Sequence, residues 1–213
     1  MPGLSAGKKL GIMDLPLIET LRSRRVILAS GSPRRRQLLA SLDIPFEVDT
    51  DFTVDEHYPA SIEALEVAPF LSVKKAEAYF DQRPITPEIT VITSDTVVVS
   101  GSEVLGKPRD EDDARRMLRE LSGHTHTVVT GVTVADARER LVRKAETKVT
   151  FASLSETEID YYVEHYHPLD KAGAYGIQEW IGAVGVSRIE GSYYNVMGLP
   201  LHLLYTMLRE LYA

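Results

Sequence analysis

The stretch RRVILASGSPRRRQLL, residues 24–39, joins an apolar run directly to the start of a helix. The segment RRVILAS is typical of a short buried strand. Ser32 is a favoured N-cap residue and Pro33 suits the first helical position, so a helix should begin immediately after Ser32. A buried strand that leads at once into a helix is typical of α/β proteins.

The first turn of this helix carries Arg34, Arg35 and Arg36, although the helix dipole favours acidic residues there. A second predicted helix, DEDDARRMLRELSG at residues 110–123, follows the usual rule, with acids first and arginines later. Backbone N–H groups and arginine forks at a helix N-terminus suit phosphate oxygens, so the arginines predict a phosphate site. The alternative is that the arginines extend into solvent, which is the simpler interpretation for Arg36.

The bulk composition excludes several classes of protein. The chain has 213 residues, enough for one sizeable domain or two joined lobes, and its net charge of -7 argues against a broad nucleic-acid-binding face. The absence of cysteine excludes disulfides, thiol catalysis and Cys-type zinc sites. No apolar run is long enough to span a membrane, and the N-terminal segment lacks the continuous apolar part of a signal peptide. We therefore expect a cytoplasmic protein whose domain begins near Arg25.

The remaining pattern predicts a mixed sheet. Residues 61–80 carry apolar positions at helical spacing, and Pro69 should kink or divide that helix. Two β-rich runs, at residues 126–136 and 140–153, predict a long antiparallel hairpin. Because strands and helices alternate early and an antiparallel pair follows, we expect an α/β fold with strands of both orientations.

Two carboxylates are candidates for chemistry. Asp95 follows the apolar run ITVIT, and we expect a break in the strand at Ser94 and Asp95, which would place Asp95 at a carboxyl end where open α/β sheets bind ligands. Beside a phosphate site, Asp95 becomes a candidate metal ligand or general base, and Glu56 could supply a second carboxylate. The alternatives are a turn or cap role for Asp95 and a solvated loop position for Glu56.

The segment GSEVLGKP, residues 101–108, matches the G-x-x-x-x-G-K part of a P-loop. Pro108 occupies the Ser/Thr position, so the hydroxyl that would bind Mg²⁺ is absent. The preceding SGSE is more typical of a hairpin turn. The better interpretation of Lys107 is a single cation directed at an anion.

Two histidines, His124 and His126, have the H-x-H spacing that places both on one face of a strand. With no cysteine and no obvious third ligand, a zinc site is not expected. His126 is interpreted as a structural histidine.

Eight segments together resemble the Maf family of nucleoside triphosphate pyrophosphatases. They follow the family's order along the chain: LASGSPRRRQLL, VDE, KKAEAY, TSDTVV, LGKP, LSGHTHTVVTGV, DKAGAYGIQ and GSYYNVMGLP. The resemblance implies a mixed twisted sheet with flanking helices and two lobes around a central cleft, a fold similar to that of inosine triphosphatase. It also implies hydrolysis of a nucleoside triphosphate to the monophosphate and pyrophosphate with a divalent cation, Mg²⁺ or Mn²⁺.

Carried over motif by motif, the resemblance assigns roles to particular residues. The substrate-binding set would be Ser30, Ser32, Arg34, Arg35, Thr96 and Gln178. The catalytic set would be Asp95, Glu56, Lys107 and Lys75. Glu56 and Asp95 would act with the metal, Asp95 as the base, while the two lysines would neutralise phosphate charge.

Three of these residues match the branch of the family that acts on dTTP and UTP: Arg34, Thr96 and Gln178. An amide such as that of Gln178 can both donate and accept along a pyrimidine edge. Modified pyrimidine nucleotides and CTP remain open as further substrates. The chain departs from the family at His167, where Glu is usual before the proline.

The resulting expectation is an N-terminal extension at residues 1–24 and a single two-lobed catalytic domain at residues 25–213. The expected partner is a nucleoside triphosphate, with no nucleic acid and no membrane, and a homodimer by family analogy. Two alternatives stay open: a P-loop phosphotransferase built around Lys107, and a nucleotide-sensing regulator of cell division with little turnover.

Overall fold

The computed structural model describes residues 15–212, which form one mixed sheet flanked by helices. The strands are β1 Arg25–Leu28, β2 Glu47–Val48, β3 Ile89–Ser100, β4 Glu103–Leu105, β5 Thr125–Ala135, β6 Arg140–Phe151 and β7 Val186–Glu190. Their order is β2-β1-β3-β5-β6-β7, with β4 paired to β3. β1 runs parallel to β2 and β3, whereas the pairings β3–β4, β3–β5, β5–β6 and β6–β7 are antiparallel. The predicted mixed sheet and the β5–β6 hairpin are confirmed.

The helices within residues 15–212 are α1 Pro16–Arg22, α2 Pro33–Ala40, α3 Val67–Gln82, α4 Glu111–Leu121, α5 Glu156–Tyr166, α6 Trp180–Gly185, α7 Tyr193–Val196 and α8 Leu201–Tyr212. Short 3₁₀ turns lie at Ala64–Glu66, Pro168–Asp170 and Ala172–Ala174. The predicted start of α2 is confirmed, because Ser32 Oγ accepts a hydrogen bond from the Arg35 N–H and Pro33 occupies the first turn. Pro69 was expected to kink or divide a helix over residues 61–80. It lies instead in the first turn of α3, where its missing N–H is not needed, and the α-helix begins at Val67 rather than at residue 61.

The predicted break at Ser94 and Asp95 is wrong. β3 continues through both residues, and antiparallel pairing with β5 places Asp95 opposite Gly131. The hydrogen bonds with β5 compensate for the low strand propensity of these two polar residues. Asp95 still lies just beyond Ile92, the partner of Leu28 at the end of β1. It is therefore at the carboxyl end of the parallel part of the sheet, although not at the end of its own strand.

Helices cover both faces of β3, whose side chains alternate between the two. Val91, Val97 and Val99 lie on the face packed by α3. Ile92 and Val98 lie on the other face, in two separate apolar clusters. One cluster contains side chains of α1, α2 and α8, and the other contains side chains of α4, α5 and α6. These two clusters are the cores of the two lobes that the sequence predicts.

The N-terminal helix α1 belongs to the first of these clusters. Leu17 and Leu21 are buried there beside residues of α8. Residues 1–14 of the predicted extension lie outside the described residues, and the domain boundary near residue 25 stays a prediction. Among residues 15–212, no helix is long and apolar enough to cross a membrane.

Candidate active site

A cleft of about 650 Å³ opens between the two lobes, at the carboxyl end of β1. All of the residues predicted for the substrate-binding and catalytic sets line it: Ser30, Ser32, Arg34, Arg35, Glu56, Lys75, Asp95, Thr96, Lys107 and Gln178. These residues come from α2, α3, β3 and the loops around them, so the fold brings distant parts of the chain to one place.

One wall of the cleft is the turn between β1 and α2. Ser30 Oγ accepts hydrogen bonds from the Ser32 N–H at 3.3 Å and from Arg35 Nη1 at 3.4 Å. Because both bonds are accepted, the hydroxyl proton of Ser30 remains available to a ligand. Backbone N–H groups at the start of α2 lie beside it, and such a helix start favours anions.

The Arg35 guanidinium is held in this wall by neutral acceptors. Nε donates to the Gly198 carbonyl at 2.9 Å, and Nη2 donates to Thr96 Oγ1 at 3.2 Å. Within residues 15–212, no carboxylate lies at ion-pair distance from it. Burial lowers the pKa of Arg35, an effect that the nearby Asp95 opposes. A desolvated cation without an ion-pair partner is a strong binding group for an anion.

Arg34 reaches across the cleft. Its Nη1 lies 2.8 Å from Asp170 Oδ2, and Asp170 Oδ1 accepts from Lys171 Nζ at 2.7 Å. Burial raises the pKa of Asp170, but hydrogen bonds from Lys171 and Arg34 outweigh this effect, and its net pKa is below the usual value. Arg36 is exposed, as its interpretation as a solvated residue predicts.

The same cleft contains two carboxylates that share one cation. Lys75 Nζ lies 2.5 Å from Asp95 Oδ1 and 2.9 Å from Glu56 Oε1. Lys75 projects from α3, whose first turn packs against β5 at Gly131. A Cβ at Gly131 would lie 2.4 Å from the Ala68 carbonyl oxygen, so glycine permits the close approach that positions the helix.

The environment of Glu56 keeps it ionised. Partial burial raises its pKa, but the hydrogen bond from Lys75 and the charges of Lys75, Lys107 and Arg35 lower it by more, and the net pKa is below its usual value. Among the described residues, none forms an ion pair with Lys107, which leaves its charge for an incoming anion.

Two expectations about alternative sites are settled by the local structure. The P-loop-like segment forms the β3–β4 hairpin with a turn at Gly101, where φ is +56°, so no phosphate-binding loop precedes a helix there. This geometry excludes the P-loop alternative for Lys107. His126 is buried with Nε2 2.8 Å from the Tyr175 hydroxyl, which confirms its structural role.

The chemistry of the two carboxylates suits a hard divalent cation. Among residues 15–212, no group of three His, Cys, Asp or Glu side chains is placed to hold a metal. Mg²⁺ is commonly bound by one or two carboxylates together with substrate phosphates, and Glu56 and Asp95 meet that requirement.

Comparison with known proteins gives the family. A profile described as "Maf-like protein" matches residues 25–211. The chain belongs to the Maf family. The predicted membership is therefore confirmed.

Relatives of this Maf protein carry a specific name. A Porphyromonas gingivalis protein named "dTTP/UTP pyrophosphatase" is 48% identical over 194 residues, which cover 91% of this chain and 98% of that protein. A Phocaeicola vulgatus protein of the same name is 49% identical over 195 residues, which cover 92% of this chain and all of that protein. The solved structure of the Staphylococcus aureus Ham1 protein shares the fold, with a TM-score of 0.52, 17% identity, and coverage of 88% of this chain and 99% of that one.

The Maf motifs contain cleft residues to which sequence reasoning assigned no role. Asp170 and Lys171 belong to the quoted segment DKAGAYGIQ, and Gly198 belongs to GSYYNVMGLP. The motifs contain these residues, but the sequence gives no indication that they contact the arginines of α2. His167, the departure from the usual Maf glutamate, is exposed at the end of α5 and is not one of the cleft-lining residues.

Proposed function

We propose that this Maf protein hydrolyses dTTP and UTP to the nucleoside monophosphate and pyrophosphate. One observation supports the proposal above all: a pair of arginines at a helix start lines the same cleft as a lysine-linked pair of carboxylates. The arginines provide forked donors for phosphate oxygens, and the carboxylates provide a proton acceptor close to them. The relatives' name, dTTP/UTP pyrophosphatase, agrees with this chemistry.

In the proposed reaction a water molecule attacks the α-phosphorus in line with the bond to the β-phosphate. Asp95 accepts the proton of the water, and the broken bond releases pyrophosphate. Arg34, Arg35 and Lys107 hold the charge that develops on the leaving group. Lys75 orients the Asp95 carboxylate through its hydrogen bond.

Glu56 and Asp95 are the residues proposed to hold a Mg²⁺ or Mn²⁺ ion together with the substrate phosphates. When bound, such an ion supplies charge neutralisation on phosphate oxygens and lowers the pKa of a bound water. Glu56 is suited to this position because its carboxylate is kept ionised by the surrounding cations.

Gln178 is proposed to read the pyrimidine. Its side chain is exposed in the cleft, on the lobe opposite α2. No residue within 15–212 forms a hydrogen bond with its amide, which can therefore donate and accept. Such a residue distinguishes nucleotides by the hydrogen-bonding edge of the base rather than by the phosphates.

The test is to incubate the purified protein with Mg²⁺ and each nucleoside triphosphate separately, and to measure pyrophosphate and orthophosphate. Pyrophosphate released mainly from dTTP and UTP is the expected result. Pyrophosphate released mainly from a nucleotide with another base would support the hydrolysis reaction but reject the pyrimidine assignment. Nucleotide binding without either product would reject hydrolysis and favour the regulator that senses nucleotides without turnover.

A further inference from the structure

A series of hydrogen bonds, partly buried at the Arg35 side chain and fully buried at its other end, joins Arg35 to a residue far from it in the sequence. Three of the five guanidinium N–H groups are engaged, by the Gly198 carbonyl, Ser30 Oγ and Thr96 Oγ1. The other two N–H groups have no partner among residues 15–212 and therefore remain for a ligand. The direction in which they point depends on the three acceptors, since no carboxylate among residues 15–212 fixes the guanidinium.

The donor at each step after Arg35 follows from the atoms available. Thr130 Oγ1 lies 3.1 Å from the Asn195 carbonyl oxygen, which can only accept, so the single hydroxyl proton of Thr130 is used there. The bond of 2.9 Å between Thr96 Oγ1 and Thr130 Oγ1 must then be donated by Thr96. The series runs from the Arg35 N–H through the Thr96 and Thr130 hydroxyls to the Asn195 carbonyl.

This series leaves Thr96 without a proton for a nucleobase. Its hydroxyl accepts from Arg35 and donates to Thr130. Thr96 was expected to bind substrate because it matches the dTTP and UTP branch of the family. It lines the cleft, and its hydroxyl also supports Arg35.

Asn195 is the fixed end of the series. Its fully buried side chain donates from Nδ2 to the Val128 carbonyl at 3.0 Å and to Thr147 Oγ1 at 2.9 Å, on strands β5 and β6. The backbone carbonyl of Asn195 also accepts a hydrogen bond from the Gly198 N–H at 2.9 Å. Gly198 has φ of +107°, a conformation that favours glycine, and its carbonyl then reaches Arg35 Nε. Both Nε and Nη2 of Arg35 are thus anchored to the backbone around Asn195.

We propose that Thr130 and Asn195 are positioning residues which, through Thr96 and Gly198, fix the Arg35 guanidinium for the triphosphate. The proposal rests on the proposed pyrophosphatase function for its kinetic consequences. Neither residue lines the cleft, so we expect neither to touch the substrate. Their effect is on phosphate binding and leaving-group stabilisation, so it should be equal for every nucleotide that the enzyme accepts.

The test compares Thr130→Val, which removes the hydroxyl at nearly constant volume, with Thr130→Ser, which retains it. The matched control is Thr133→Val, also fully buried on β5, whose hydroxyl bonds to Ser72 rather than toward Arg35. We expect Thr130→Val to reduce kcat/KM about tenfold, the scale for losing one hydrogen bond that aligns a charged group. The ratio of kcat/KM for dTTP to that for UTP should not change. Thr130→Ser and Thr133→Val should remain within about threefold of the wild type.

A second readout does not depend on turnover. The Nε–H of Arg35 should give a slowly exchanging ¹H–¹⁵N signal in the wild type, and Thr130→Val should shift it and accelerate its exchange, whereas Thr133→Val should not. If the wild type released no pyrophosphate from dTTP or UTP, the proposed function would fail, and this signal would still decide the positioning role. Wild-type kcat/KM in Thr130→Val, an equal loss in Thr133→Val, or an unchanged Arg35 signal would each overturn the proposal.

Discussion

Lys75 Nζ lies 2.5 Å from Asp95 Oδ1 and 2.9 Å from Glu56 Oε1, so one ammonium group joins a carboxylate on β3 to a carboxylate in a loop. Lys75 and Asp95 are both mostly buried, whereas more than half of the Glu56 side chain is exposed. The Asp95 carboxylate is therefore held in a fixed orientation, which a proton acceptor needs if it is to meet a water molecule in the correct line.

Replacement of that acceptor is the most direct test of the proposed mechanism. Asp95→Asn should lower kcat for dTTP by about 10²–10⁴-fold, because an amide cannot take the proton from water. The matched control is Asp81→Asn on the exposed surface of α3, which should leave kcat unchanged. A steady-state measurement that found near-normal kcat in Asp95→Asn would remove Asp95 as the base.

Two of the three arginines in the first turn of α2, Arg34 and Arg36, have different surroundings. Arg34 lines the cleft and pairs with Asp170 at 2.8 Å, whereas Arg36 is exposed. Arg34→Ala should reduce kcat/KM for dTTP by about 10–100-fold, while Arg36→Ala should alter it by less than about twofold.

Part of the loss in Arg34→Ala has a second cause, because Asp170 is then paired, among the described residues, with Lys171 alone and presents more negative charge to the triphosphate. The double variant Arg34→Ala/Asp170→Asn should therefore recover some of the lost kcat/KM. Equal losses in Arg34→Ala and Arg36→Ala would show that charge on α2, rather than the position of Arg34, is what matters.

Gln178 should control the choice of base and not the chemistry. Gln178→Ala should lower kcat/KM for dTTP and UTP about tenfold and reduce their preference over CTP, since the amide that recognises the pyrimidine edge is lost. Inhibition by pyrophosphate serves as the internal control and should be unchanged. A preference among dTTP, UTP and CTP identical to that of the wild type would exclude Gln178 as the base-reading residue.

Local rules were sufficient for the start of α2. Ser32 and Pro33 predicted the helix start, and the unusual arginines after them predicted a site for an anion. The structure places Arg34 and Arg35 in a cleft with the other predicted site residues, whereas Arg36 is exposed. Local rules failed at Asp95, because pairing with β5 outweighs the low strand propensity of a polar pair, and no local pattern records that pairing.

The contacts that hold Arg34 and Arg35 in place could not be predicted from local sequence patterns. Arg34 pairs with Asp170 and Arg35 with the Gly198 carbonyl, in each case across more than half of the chain. Such contacts depend on how the two lobes pack, and that packing follows from many apolar side chains together. The motifs identify the segments that form the site. Only the three-dimensional structure shows which of their atoms are in contact.

Gly131 should be needed for the position of α3. A Cβ there would lie 2.4 Å from the Ala68 carbonyl oxygen and from the Pro69 nitrogen, both backbone atoms that cannot rotate away. Gly131→Ala should therefore cost about 1–3 kcal/mol in the free energy of unfolding and displace Lys75 from the carboxylates. Gly106→Ala, where a Cβ meets no atom within 4 Å, is the control for stability. Denaturant unfolding with the same midpoint in both variants would contradict this account of the α3 contact.

His126 should make the stability of the protein fall at mildly acidic pH. Burial lowers its pKa from 6.5 to about 4. Below pH 6.5 the unfolded chain therefore binds a proton that the folded chain does not, and this favours unfolding. The stability is full above about pH 6.5 and decreases by up to about 3 kcal/mol as the pH falls to about 4.

The matched pair for this prediction is His126→Gln and His124→Gln, since His124 is exposed only two residues away. The quantity to compare is the slope of unfolding free energy against pH between 4 and 6.5, because His126→Gln also loses its hydrogen bond to Tyr175 and so changes the absolute stability. His126→Gln should flatten that slope, and His124→Gln should leave it as in the wild type. An unaltered slope in His126→Gln would mean that another group causes the acid sensitivity.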